Sequence, residues 1–164
     1  MDEENMMSAF QEHILTAAQQ RLLRSLGPAA EELGFYLAGG TAVALRLGHR
    51  RSEDFDWFSA DPKVVPDLLL PDLADRDFVA TPIQISAGTL LCDIDGIRVT
   101  FLRFRYSMLE EPEPWSAYGC RIASLSDLIC MKLSAIAQRG AKKDFIDIYT
   151  MLRRGASAGP ATSF

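Results

Sequence analysis

The chain has 164 residues, 48% of them hydrophobic and 24% charged, with a formal net charge of −5; that is enough for one compact core and short for two, and it disfavours binding nucleic acid through a general basic surface, leaving only a local basic patch open. Its apolar stretches, such as residues 64–70 and 37–47, are broken by Pro66, by Gly39 and Gly40, or by Arg46, far short of the roughly 20 residues a membrane span needs, and the acidic start Met-Asp-Glu-Glu-Asn is unlike a signal peptide, so a cytoplasmic protein with no membrane partner is expected. Three cysteines in no close pair, Cys92, Cys120 and Cys130, point to reduced thiols at core positions, and two histidines, His13 and His49, argue against a zinc site.

Residues 8–26 carry Phe10, Ile14, Leu15, Ala18, Leu22 and Leu26 at a helical recurrence that Gly27-Pro28 stops; 29–33 add a further turn or two, closed by Gly34. A buried strand over 35–38 ends in Gly39-Gly40, a short helix follows over 41–47, and a second strand covers 53–58. Residues 62–73 read as a proline-interrupted, partly helical connection. Extended runs over 79–85, 89–92 and 97–104 follow, with Asp95-Gly96 as a hairpin turn between the last two. The prolines of 110–119 mark a loop, read as a surface connection rather than a lid over a site. Ser124 with Asp127 starts a helix that runs to Arg139, Gly140 breaks it, and 142–153 is a last helix before a flexible tail over 155–164. The mixture predicts an α/β (α+β) class: a single domain over 1–154, with a small mixed β-sheet over 35–104 flanked by helices and a helical C-terminal part over 124–153.

Two features bear on chemistry. A strand that ends in Gly39-Gly40 and turns at once into a helix at Thr41 exposes backbone N–H groups beside a positive helix end, a seat for phosphate; glycine also serves such turns merely for its dihedral angles. Asp54 and Asp56, two apart on a strand, point to one face roughly 7 Å apart at Cβ. Carboxylates crowded beside Phe55 and Trp57 repel unless a cation intervenes, which suits a hard ion such as Mg²⁺; an edge strand with both acids in water is the alternative. Together, a phosphate seat and a carboxylate pair joined through Arg50-Arg51 are the parts of metal-assisted phosphoryl or nucleotidyl transfer. Further on, Leu125, Leu128, Ile129, Leu133 and Ile136 form an apolar helical stripe with Lys132 in its middle, a lysine that must meet a carboxylate or a phosphate. Asp144 and Asp147 flank the face of Phe145, Ile148, Tyr149 and Leu152, and Asp144 also suits a plain partner of the helix dipole. Arg139, Lys142 and Lys143 read either as the entry for a triphosphate or an RNA end, or as a solvated rim.

Gly39-Gly40-Thr41 followed by Arg50-x-Ser52-x-Asp54-Phe-Asp56, and then residues 131–149, MKLSAIAQRGAKKDFIDIY, resemble the AbiEii/AbiGii toxin family of nucleotidyltransferases, distant relatives of DNA polymerase β. The resemblance covers 35 to about 152. It implies Mg²⁺ (or Mn²⁺) on Asp54 and Asp56, the phosphates of a nucleoside triphosphate on Gly39, Gly40, Thr41, Arg50, Arg51, Ser52 and Lys143, and a catalytic set completed by Lys132, Asp144 and Asp147. It further implies transfer of a nucleotide to an RNA or protein acceptor and a cognate antitoxin protein as partner. One position departs from the pattern: Thr100 stands where a third carboxylate is expected, and Asp93 and Asp95 flank a turn instead. Two rival expectations therefore stand beside transfer: a module that binds a nucleotide or a partner without turnover, and a structural domain in which the Asp54–Asp56 pair is closed by Arg50, Arg51 or Lys132. His49 is expected at a helix end with no chemical role, and Trp115 has no assigned one.

Overall fold

The computed structural model describes residues 10–158, with side chains from 10 to 154. Strands β1 (Tyr36–Ala38), β2 (Phe55–Ser59), β3 (Ala80–Ser86), β4 (Thr89–Ile94), β5 (Ile97–Arg103), β6 (Glu113–Trp115) and β7 (Cys120–Ile122) form one mixed sheet in the order β3-β4-β5-β2-β1-β7-β6. Helices α1 (Ala17–Glu32), α2 (Gly39–Leu47), α3 (Leu70–Asp75), α4 (Leu125–Gln138) and α5 (Lys142–Ala158) accompany it, as the mixed pattern of the sequence predicts. Period-two alternation is clearest in β2, where Phe55, Trp57 and Ser59 are buried while Asp56 and Phe58 on the opposite face are half-buried. Phe55 and Trp57 join Leu37, Val99, Phe101, Leu23 and Leu26 in the main core, which leaves the Asp56 face of the sheet for other work. β2 lies antiparallel to β1 and parallel to β5, so Asp56 stands between Ala38 on one side and Thr100 on the other.

Local rules account for most boundaries. Thr16 caps α1 with a full capping box through Gln19, Ser124 caps α4 by accepting from the Asp127 N–H, and Gly140, with φ of 61°, separates α4 from α5. Asp95 and Gly96, with φ of 55° and 82°, make the two-residue turn between β4 and β5. The last helix continues past Arg153 to Ala158, and residues 159–164 of the expected tail lie outside the described residues, as do 8 and 9 of the expected first helix.

Four expectations are corrected. Pro28 lies inside α1 instead of ending it; an interior proline costs about 3 kcal/mol, but Leu22, Leu23, Leu26 and Ala30 are buried around it, each large side chain contributing about 1.5–3 kcal/mol. Gly27 lets the Tyr118 carbonyl approach, and the Pro28 ring packs over Gly119. Second, 110–119 is no plain loop: β6 pairs with β7 at the sheet edge, where Pro114 is tolerated. Trp115 anchors that hairpin in the core, 5.2 Å from the Phe10 ring and 4.4 Å from the Tyr118 ring. Third, the apolar stripe predicted on α4 is buried only at Leu128, with Leu133 52% exposed, because Asp127 and Lys132 share the inward face. Fourth, Cys92 and Cys120 are buried thiols but Cys130 is exposed. Among the described residues no helix is long and apolar enough to cross a membrane.

Candidate active site

The turn from β1 into α2 requires its first glycine twice over. Gly39 has φ of 70°, in the left-handed region that costs other residues about 1–2 kcal/mol. A Cβ there would also lie 2.9 Å from the Asp56 Cγ and overlap Oδ2. Gly39→Ala is therefore expected to lower stability by about 1–2 kcal/mol and to push the Asp56 carboxylate aside, read as a lower melting temperature. Gly40 is closely approached on the other side, where a Cβ would stand 2.8 Å from Arg50 Nη2 and force that guanidinium to shift. The helix starts at Gly39, two residues before the expected Thr41, so the N–H groups of Gly39, Gly40 and Thr41 belong to a first turn with no intrahelical acceptors. Thr41 itself is buried and faces inward: its hydroxyl donates to the Asp54 carbonyl and shares a 2.7 Å hydrogen bond with the Ser52 hydroxyl. Gln19 Nε2 donates to the Ser52 carbonyl at 2.6 Å. The segment leading into β2 is thus held from two helices.

Above this turn opens a cavity of about 510 Å³ whose wall includes Gly39, Gly40, Ser52, Asp54, Asp56 and Thr100. That is a size suited to a nucleotide. Asp54 immediately precedes β2 and Asp56 lies within it, and both reach the same hollow. Among the described residues neither carboxylate is in an ion pair. Burial and the neighbouring Asp54 charge push the Asp56 carboxyl above its ordinary range, against the lowering effect of a Thr100 hydrogen bond and of the Lys132 and Lys143 charges. The basic residues of the wall are Arg50, Arg98, Lys132, Arg139 and Lys143, a positive lining inside an acidic chain.

Three of those cations are held by two fully buried acids on α5. Lys132 Nζ lies 3.1 Å from Asp144 Oδ1 and 2.9 Å from Asp147 Oδ2. Arg139 grips Asp144 through Nε at 2.9 Å and Nη2 at 3.0 Å. Arg50 grips Asp147 through Nε and Nη2, both at 2.8 Å, and donates from Nη1 to the Arg51 carbonyl at 3.0 Å. His49 Nε2 meets Asp147 Oδ1 at 2.8 Å. Hydrogen bonds from Arg139 and Lys132 hold the Asp144 carboxyl far below the usual carboxylate range despite burial. For Asp147 burial acts upward, but Arg50, Lys132 and His49 together bring it down to about 2.

The expected residues therefore sort into three groups. Gly39, Gly40, Arg50, Ser52, Asp54, Asp56, Lys132 and Lys143 line one cavity. Thr41 and Arg51 do not line it: Thr41 braces the chain beneath, and Arg51 is exposed and offers only its carbonyl. Asp144 and Asp147 also lie outside the wall and are saturated by basic side chains, so they act on the cavity through Lys132, Arg50 and Arg139. Closure of Asp54 and Asp56 by Arg50, Arg51 or Lys132 does not occur, because Arg50 and Lys132 are engaged with Asp144 and Asp147. His49 was the residue missed; it follows Gly48, the left-handed C-cap of α2, and nothing local shows that its ring turns to α5.

The sequence matches no family model. An uncharacterised protein of Aquifex aeolicus (strain VF5) is 42% identical over 120 residues, 73% of this chain and 58% of that protein. The chain thus spans under two thirds of the length of the curated relative it matches. Among solved structures, the antibiotic-resistance factor ANT(2'')-Ia superposes with a TM-score of 0.56 at 16% identity, covering 87% of this chain and 88% of that one. The Megavirus polyadenylate synthase does so with a TM-score of 0.53 at 13% identity, covering 92% of this chain and 35% of that one. Both are nucleotidyltransferases, and at these identities the likeness establishes a nucleotidyltransferase-like fold.

Proposed function

We propose that the protein is a divalent-metal-dependent nucleotidyltransferase of toxin–antitoxin or abortive-infection type, moving a nucleotide from a nucleoside triphosphate to an RNA or protein acceptor under control of a partner antitoxin protein. The observation that carries this reading is the pair of carboxylates, Asp54 and Asp56, in no ion pair among the described residues and beside a glycine turn in a nucleotide-sized cavity. Their chemistry fits one Mg²⁺ (or Mn²⁺), since Mg²⁺ sites commonly consist of one or two carboxylates completed by water and substrate phosphate. A bound ion would supply charge neutralisation and polarisation of the triphosphate. The chain's own groups do the rest. First-turn amides of Gly39 and Gly40 take phosphate oxygens. Thr100, hydrogen-bonded to Asp56, keeps that carboxylate oriented. Nucleotidyl transfer forms a bond from the acceptor oxygen to the α-phosphorus and breaks the bond to the β-phosphate oxygen, so charge gathers on the leaving pyrophosphate. Lys132 has two acceptors, Asp144 and Asp147; an ammonium has three N–H groups, and the remaining one can meet that charge.

Incubation with labelled nucleoside triphosphates, Mg²⁺ and total RNA or protein is expected to label an acceptor, and Asp54→Ala to abolish both the labelling and any growth inhibition. Absence of transfer under all four nucleotides removes the reading. Thr100 in place of a third acid favours a second one, a module that binds a nucleotide or a partner without turnover. Calorimetry separates them: transfer requires nucleotide affinity that depends strongly on Mg²⁺, whereas the module binds alike with and without it.

A further inference from the structure

We propose that the end of the cavity across the sheet from the glycine turn seats the nucleobase of the triphosphate, with Tyr106 as its stacking platform and Gln138 at its edge. The triphosphate is taken from the proposed function; the walls add chemistry that a phosphate and a metal ion do not call for. Along the sheet order β4-β5-β2-β1, Gly39 and Gly40 leave β1 and Asp56 stands on β2, while Leu102 on β5 and Leu91 on β4 continue the same cavity wall. These leucines lie one and two strands beyond Asp56, roughly 5–10 Å at about 4.8 Å per strand. Phe58 and Phe104 extend this apolar floor with rings 5.5 Å apart, and Tyr106 follows 5.3 Å from Phe104 at 60°. Met131 and Ala135 line the cavity from α4. The result is a slot between sheet and helix, charged at one end and aromatic at the other.

Tyr106 is 70% exposed, yet the loop that carries it is tied at both ends. On one side the Phe104 N–H donates to the Ser59 carbonyl at 2.8 Å. On the other, the buried Asp127 carboxylate accepts from the Leu109 N–H at 2.8 Å and the Glu110 N–H at 3.1 Å. A ring fixed at a cavity wall and left uncovered by its own chain offers a stacking face at little ordering cost. Gln138 Nε2 donates to the Ser134 hydroxyl at 3.5 Å, which leaves its second N–H and its Oε1, a donor beside an acceptor, as the edge of a base requires. A bare polyphosphate would leave the apolar floor in water. An acyl chain would suit the leucines but not the amide. A nucleobase meets floor, ring and amide together.

The test is calorimetry in Mg²⁺ with the α,β-methylene analogues of the four nucleoside triphosphates, which bind without transferring, set against inorganic tripolyphosphate. At least one analogue is expected to bind about tenfold or more tighter than tripolyphosphate. Tyr106→Ala removes that advantage and leaves tripolyphosphate affinity unchanged, Tyr106→Phe keeps it, and Gln138→Leu changes the ranking of the four bases. The proposal fails if no analogue binds, if tripolyphosphate binds as tightly as every analogue, or if Tyr106→Ala weakens both ligands alike or neither. It fails equally if a short single-stranded RNA, and not the analogues, loses affinity in Tyr106→Ala, which would give the platform to the acceptor; a ranking unmoved by Gln138→Leu removes Gln138 from the subsite. A protein that binds the analogues in the expected pattern but labels no acceptor loses the transferase reading and keeps the base subsite. One that labels an acceptor while Tyr106→Ala binds the analogues like the parent loses the subsite alone.

Discussion

Asp147→Asn is expected to lower the free energy of unfolding by about 3–5 kcal/mol, the usual cost of removing one member of a buried ion pair. The change is nearly isosteric, so packing is kept while Lys132, Arg50 and His49, all reaching one fully buried carboxylate, lose their common anion and face an amide N–H₂ in place of one oxygen. Against a total of about 5–15 kcal/mol for an ordinary domain, the loss is large. It shows as a lower urea midpoint with an unchanged slope. Asp144→Asn is expected to cost less, because its second partner, Arg139, has a side chain 56% exposed that can return to water. Acid does to the parent what the substitution does by design. Asp147 is held at about 2 against an ordinary 3.8, so in that interval the unfolded chain binds the extra proton. Its contribution, about 2 kcal/mol, is complete above roughly pH 4 and disappears as the pH falls through 2. A midpoint that did not fall with the pH between 4 and 2 would contradict this account.

Asp56→Asn should separate stability from activity. Burial and Asp54 raise the Asp56 carboxyl, so at neutral pH the ionised group weakens the metal-free fold, a penalty that sets in as the pH rises through its titration. The amide removes that penalty and keeps an oxygen that can accept from the Thr100 hydroxyl, which neighbours it across β2 and β5. The metal-free variant is expected to melt higher than the parent and, on the proposed function, to lose any stabilisation by Mg²⁺ or Mn²⁺ and about 10³-fold in nucleotidyl transfer, several kcal/mol of charge stabilisation at about 1.4 kcal/mol per decade. Scanning calorimetry with and without the ion checks the first two, and initial rates the third. A variant that keeps the ion response would show that Asp56 is no ligand.

What could be read from the residues in order was mostly local. Alternation through Phe55, Asp56 and Trp57 gave the two faces of β2, the Asp95-Gly96 pair gave its hairpin, and Ser124 gave its helix start. Asp54 and Asp56 were placed in one hollow by their spacing, and they reach it. The two acid pairs, however, look alike along the chain. What distinguishes them is the position of His49 and Arg50, which stand 98 and 97 residues from Asp147 and meet it only in three dimensions. Thr100 was already read at the third-acid position from the resemblance, and the register of β2 with β5 puts it beside Asp56, whereas a tertiary contact with Tyr118 and Gly119 carried α1 through Pro28. Helical periodicity also overstated the burial of α4, because a lysine and an aspartate occupy its inward side.

The interlocked charges between α4, α5 and the end of α2 have a consequence for how such a sequence can drift. Arg50, Lys132, Asp144 and Asp147 share partners, so exchanging any one strands an opposite charge in the interior, and the effects of separate exchanges do not add. Variation there must arrive as coordinated replacements of the group, while neighbouring exposed positions can change singly.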